Sequence, residues 1–182
     1  MPPKRRSADH RRADAVAAGM RIIAALGPST AAVQQVADEI GVSQPYVFRL
    51  FGGKREFFLA CLDELEARVR KVFAENAAIA PGDPFITMGE GFRETVGDGV
   101  AGGLLFQALA AARHDEVIAA RCRALIAGVL AEVQDSSGAT AEEVADFFAS
   151  GTLVLVLQAV GADLTGGSRE AVARLRATEE SR

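Results

Sequence analysis

Apolar residues recur at three- and four-residue intervals through most of the chain and rarely alternate with polar ones, so the pattern predicts helices throughout. The first stripe runs through Val16, Met20, Ile23 and Ala24, with Ile22 and Leu26 beside it, and Gly27-Pro28 ends it. A second helix carries Val33, Val36, Ala37 and Ile40, with Thr30 in place as its N-cap. Gly41 then supplies a turn, where a positive φ costs least. Ser43 caps a third, very short helix, whose Pro45 is tolerated in the first turn because that amide has no helical partner. Val47, Leu50 and Phe51 fall on one side of this helix, leaving Gln44, Tyr46 and Arg49 to face elsewhere. Gly52-Gly53 breaks the chain, and Lys54 begins a long fourth helix to about Asn76.

Beyond a breaker at Pro81–Pro84 the pattern predicts helices from Phe85 to about Val96 and from Leu104 to Arg113. Gly97, Gly99, Gly102 and Gly103 are expected to loosen the chain between them. Asp115 is placed to cap a helix over Glu116 to Gln134 that buries Val117, Ile118, Leu125, Ile126, Val129 and Val133. After a turn at Asp135–Ala139, Thr140 and Glu143 form a capping box for a helix to about Ala162, and a short last helix carries Val172 and Leu175. The Thr140–Ala162 helix is apolar nearly all round at Leu153, Val154, Leu155, Val156 and Leu157, so it must be buried on every face. Either it is a central core helix, or one face meets a second subunit through Leu153, Leu155, Val156 and Val160, where Gly151 and Gly161 permit close approach.

Composition agrees with an all-α fold: Ala is abundant, while Thr, Tyr and Trp are scarce. The 182 residues suffice for one large or two small domains. Cys61 and Cys122 lie far apart without metal-ligand spacing, which suits a reducing cytoplasm better than a disulfide scaffold. The N-terminus lacks the apolar run of a signal peptide, and the most apolar stretch, Phe147 to Ala162, is too short for a membrane span. Charge is uneven along the chain. Residues 1–56 carry nine Lys/Arg and five Asp/Glu, whereas the remainder is acidic enough to bring the chain to −4. A basic N-terminal third on an acidic protein points to a polyanion met by that third alone, unless Lys4, Arg5, Arg6, Arg11 and Arg12 are only a solvated tail.

Three short helices around an apolar cluster, the third with a polar leading edge, form an arrangement that reads DNA. Gln44 is the best candidate for a base edge, since its amide can bond bidentately to adenine. Pro45 offers an apolar surface to a thymine methyl, and Tyr46 can meet either a methyl or a phosphate. Ser43 stands at the same edge, and Arg49 suits a base or the backbone. Lys54 and the amides of its helix N-terminus suit a phosphate, where ammonium and helix dipole act together.

Over Val33 to Leu62 these residues resemble the DNA-binding domain of TetR-type transcriptional regulators. The shared pattern is Val33, Val36 and Ala37, then Gly41-Val42-Ser43, then a short helix ending in Arg49-x-Phe51. A small linker follows, then Lys54 and an apolar helix through Phe57, Phe58 and Leu62. The resemblance implies a helix-turn-helix domain with a basic arm over residues 1–56. A long fourth helix would join it to a helical-bundle domain over residues 57–182 that binds a ligand and dimerises. It also implies that Gln34 can reach a base. Departures are Phe48, where a phosphate-binding tyrosine is common, Leu50 in place of a histidine, and Ala32 in place of a small hydroxyl residue. In such regulators Phe85, Met88, Phe92, Phe106, Leu109 and Phe148 would stand around a ligand cavity, with Arg93, Gln107, His114 and Thr152 as polar groups, although each also suits an ordinary core. His114 reads better as an exposed helix-end residue, and His10 has no partner nearby in sequence.

The implied function is a cytoplasmic, homodimeric regulator, a repressor, that binds a palindromic operator in double-stranded DNA and is released by a small apolar effector. A helical adaptor without sequence-specific DNA binding is the alternative. An enzyme is disfavoured, because the chain has no HExxH, ExxH, GxSxG or phosphate-binding glycine loop. No cofactor, metal or membrane is expected.

Overall fold

The computed structural model describes residues 7–79 and 82–180. Lys4, Arg5 and Arg6 of the basic arm, and Pro81 of the Pro81–Pro84 breaker, lie outside the described residues. Among the described residues every regular element is a helix: α1 (Ala8–Leu26), α2 (Thr30–Glu39), α3 (Gln44–Phe51), α4 (Lys54–Ala77), α5 (Pro84–Val96), α6 (Val100–Ala112), α7 (Glu116–Ser137), α8 (Ala141–Ala159) and α9 (Ser168–Glu180). Packing groups residues up to Ala67 with Gly103–Leu125 in one compact unit, and Arg68–Gly102 with residues from Ile126 onward in another. This division falls inside α4, α6 and α7, whereas the functional boundary read from the sequence stands at residue 56.

In the first unit α1, α2 and α3 pack on one another around Ala15, Met20, Ile23, Val33, Val36, Ala37, Val47 and Phe51. The caps explain where the helices begin. Ser7 accepts from the His10 amide at 3.2 Å and starts α1. Ser29, not Thr30, caps α2: its backbone is extended and its hydroxyl accepts from the Ala32 amide at 3.1 Å, which makes Thr30 the first helical residue. Arg21 and Glu39 pair at 2.5 Å across α1 and α2.

The foot of α4 packs on α1 at Gly19. A Cβ on that glycine would stand 2.5 Å from Phe57 Cζ and 2.9 Å from Cys61 Sγ, so only a hydrogen fits. Phe57, Phe58, Cys61 and Leu62 are buried there. Burial, with Asp63 and Glu64 nearby, pushes the Cys61 thiol up to about 12, so it is a packing residue rather than a nucleophile. Arg121 on α7 pairs with Asp63 at 2.6 Å and Glu66 at 2.7 Å on α4. Burial works against its charge, but hydrogen bonds to those two carboxylates more than reverse the effect and hold its pKa above the usual value. Gly103, expected to loosen the chain, instead lies inside α6, where the Ala24 Cβ and carbonyl oxygen of α1 would stand 3.1 Å from any Cβ placed there.

In the second unit α8 packs on α5 and α9. The capping box at its start is complete: the Glu143 carboxylate accepts from the Thr140 amide at 2.8 Å, and the Thr140 hydroxyl accepts from the Glu143 amide at 3.3 Å. The Thr140 amide, and the Thr140 hydroxyl donating to the same oxygen at 2.8 Å, hold the Glu143 carboxyl below the usual range. Gly102, like Gly103, is helical, and a Cβ there would lie 3.4 Å from Leu155 Cδ2. α7 runs on to Ser137, past the turn expected from Asp135, with the Ser137 hydroxyl donating to the Val133 carbonyl at 2.6 Å. Val117, expected inside, is 46% exposed, and Leu175 of the last helix is 43% exposed. Val117 stands one position off the buried stripe of Ile118, Cys122, Leu125, Val129 and Val133, and α9 buries Ala171 instead.

The Gly19 contact is testable. Gly19→Val drives branched methyls into Phe57, a fully buried ring with nowhere to swing, and should cost about 1–3 kcal/mol. Thermal unfolding of the purified variant measures this, and an unchanged melting temperature would contradict the close approach of α1 and α4.

Candidate nucleic-acid interface

The leading edge of α3 carries Ser43 and Pro45. Ser43 has the backbone of an N-cap, with φ −85° and ψ 149°, but its hydroxyl makes no capping bond. Pro45 at the second helical position has no amide hydrogen, and the Tyr46 amide donates to the Ser43 carbonyl at 2.9 Å. The Ser43 hydroxyl, expected to cap, lies instead on an exposed edge beside the exposed Pro45. At the other end Gly52 adopts the left-handed conformation, φ 93°, and its amide donates to the Phe48 carbonyl.

Gln44 is half-buried rather than free: its Nε2 donates to the Thr30 carbonyl of α2 at 2.9 Å. The second N–H and Oε1 are still the pair that an adenine edge requires, and a tethered side chain loses less entropy on binding. Gln34 is exposed on α2, and its Nε2 donates to Asp38 Oδ1 at 2.7 Å, one turn along its own helix. Tyr46 is half-buried, with the Arg49 guanidinium 5.2 Å and the Arg11 guanidinium 5.9 Å from its ring centroid. Val47 and Phe51 are the buried anchors, while Phe48 and Leu50 are half-buried. Arg49 and Lys54 are exposed, the latter at the first position of α4.

The sequence left Arg11 and Arg12 open between a basic arm that meets a polyanion and a solvated tail. Both belong to α1, and Arg12 donates from Nη1 to the Leu50 carbonyl at 2.7 Å, with its guanidinium 4.2 Å from the Phe51 ring centroid. The helical spacing from Asp9 onward already carried the signal, since residues in the first turns of a helix are fixed in direction. His10 also has a partner that the sequence reading missed, Asp14 one turn away, 4.0 Å from Nε2.

The residues proposed for ligand and dimer contacts divide. In the second unit Phe85 stacks on Phe147 at 5.0 Å, Phe147 meets Phe73 edge-on at 5.5 Å, and Phe73 lies 5.7 Å from Phe92. Phe73 and Phe147, which tie the cluster together, were not anticipated. Gly151 faces this cluster: a Cβ there would lie 3.5 Å from Phe92 Cε1. Met88 is fully buried, and the Thr152 hydroxyl donates to the Phe148 carbonyl at 2.9 Å. Phe106 and Gln107 belong to the first unit, where Gln107 stands against the Gly27 turn. On α8 Leu153 and Val156 are exposed, as is Val160 just past its end, whereas Leu155 is buried in its own unit. Among the described residues no group of three or more His, Cys, Asp or Glu stands close enough to hold a metal ion, and no single helix is long and apolar enough to cross a membrane.

A three-helix unit presenting a short, anchored helix with an exposed polar edge has the geometry of a helix-turn-helix DNA-binding domain. Residues 15–61, from α1 into α4, match the family model described as bacterial regulatory proteins, tetR family. That segment is thus similar to the DNA-binding domain of this family, which indicates a DNA-binding transcriptional regulator. A search of curated proteins gave no match.

Two substitutions separate reading from gripping. Gln44→Ala should relax base preference, lowering discrimination by roughly 1–3 kcal/mol at the affected position, while Lys54→Ala should weaken binding to all sequences alike. Binding assays on a duplex and its single-base variants check both. Equal loss of preference in the two variants would contradict the division.

Proposed function

We propose that the protein is a homodimeric, ligand-responsive transcriptional repressor that binds a palindromic operator and is released by a small apolar effector in the cytoplasm. Residues 1–56 read DNA, and residues 57–182 dimerise and take the effector. The observation that carries this reading is the edge of α3, where Ser43, Gln44, Pro45 and Tyr46 stand together ahead of Arg49 and Lys54 inside the segment that matches the tetR family. Arg49, Lys54 and the helix N-terminus behind Lys54 supply the backbone grip, and the Gln44 amide supplies the reading.

Two features of the second unit support the remainder. Leu153 and Val156 on α8, with Val160 at its C-terminal cap, leave an exposed apolar stripe, which suits a second copy of the chain. The cluster of Phe73, Phe85, Phe92 and Phe147 suits an apolar, aromatic-compatible effector, with Phe148 and Thr152 nearby in sequence on α8. An effector of this kind shifts the protein off DNA only by its differential affinity for the two forms.

The test uses the full-length protein and a randomised duplex library. The reading requires enrichment of a palindrome, with affinity that drops by about a thousandfold or more between 50 and 200 mM salt if about six or more phosphates are gripped. A chain that retains no duplex under low salt is an adaptor, not a repressor.

A further inference from the structure

α3 is eight residues long, well below the length of about 12–15 at which an isolated helix is even marginal in water. Something outside it must set its direction. Its core face contributes only Val47 and Phe51 as buried anchors, both on one side, which fix depth better than tilt. The N-terminal end is tied by Gln44 to the Thr30 carbonyl. The C-terminal end is held by a residue of another helix. Arg12 of α1 donates to the Leu50 carbonyl at 2.7 Å and lies 4.2 Å from the Phe51 ring centroid.

This contact joins three favourable terms at one point. The Leu50 carbonyl is among the last four of the helix, which have no partner within it. A cation there also meets the negative end of the helix dipole, and a charge-assisted bond is stronger than a neutral one. A planar guanidinium can donate in its plane to the carbonyl while presenting its face to the ring, which an ammonium cannot do.

We infer that Arg12 is a positioning residue for DNA reading, one that sets the tilt of α3 and thereby the place of its leading edge, without gripping DNA itself. The inference rests on the function proposed above. Geometry gives the leverage: a helix of eight residues is about 12 Å long, so a tilt of roughly 10° pivoting at its C-terminal end moves the leading edge by about 2 Å. That displacement exceeds the tolerance of a hydrogen bond to a base edge. Nonspecific attraction to the phosphate backbone is far less sensitive to it.

The experiment compares wild type, Arg12→Gln and Arg12→Lys, all full length. Each is titrated with a labelled duplex that wild type enriches from a randomised library and with the same duplex scrambled, across a salt series, with thermal melting measured alongside. Arg12 is exposed, so both variants should fold, and the melts verify it. Both should bind the enriched duplex roughly five- to tenfold more weakly, the scale of one lost base contact. Binding to the scrambled duplex and its salt slope should not change. Parallel loss on both duplexes, a salt slope shallower by about one and rescue by lysine would make Arg12 a phosphate contact and overturn the inference. A lower melting temperature with unchanged discrimination would overturn it as well, leaving Arg12 a purely stabilising residue. If wild type enriches no duplex, the functional reading itself fails and the inference falls with it; if only the variants fail to differ from wild type, the inference alone fails.

Discussion

The shortness of α3 is the constraint that the first unit answers. Eight residues cannot hold a helix in water, so its conformation and direction are supplied by neighbours. Val47 and Phe51 sink into the α1–α2 cluster, and the Phe51 ring meets Phe57 of α4 at 4.7 Å. Phe57 in turn fills the space that Gly19 leaves on α1. α1, α3 and the foot of α4 therefore share one chain of packed side chains, and disturbing any of them is felt at the reading edge. Polar ties from Gln44 and Arg12 finish what packing begins.

The same economy shapes the chemistry of the edge. Ser43 has the backbone of an N-cap but makes no side-chain capping bond, so its hydroxyl is left beside the exposed Pro45. Phe48 and Leu50 replace groups that in similar domains grip the backbone, and both are half-buried here. Cationic groups stand around the edge instead: Arg11 and Arg49 flank Tyr46, and Lys54 opens α4.

Helix positions were legible because the stripes are regular and the stops are glycines. Gly41 and Gly52 both take positive φ where the sequence asked for turns, and the Thr140–Glu143 box forms as its spacing implied. What the sequence did not show was the partner of each face. Ser29 and Thr30 are both good caps, and only the chain direction chooses between them. Gly102 and Gly103 read as breakers but sit in α6, since a glycine in a helix signals close approach as readily as a break, and Leu155 and Ala24 are the residues that approach. Periodicity placed Leu155 with Leu153 and Val156 on an apolar helix; tertiary packing buries the first and leaves the other two exposed. In the reading domain the named residues sit on or beside α3 as expected, but the tether on Gln44 and the role of α1 come from contacts across 14 and 38 residues of sequence, beyond any local pattern.

The central claim is that α3 enters a major groove, twice, in a symmetric pair. The most direct measurement is a combined hydroxyl-radical and base-methylation interference footprint of the full-length protein on a duplex it enriches. The account predicts two equivalent protected half-sites whose centres lie about 34–36 Å apart, or a whole multiple of that, with interference at major-groove base positions in each. A single protected patch, or backbone protection without base interference, would contradict it.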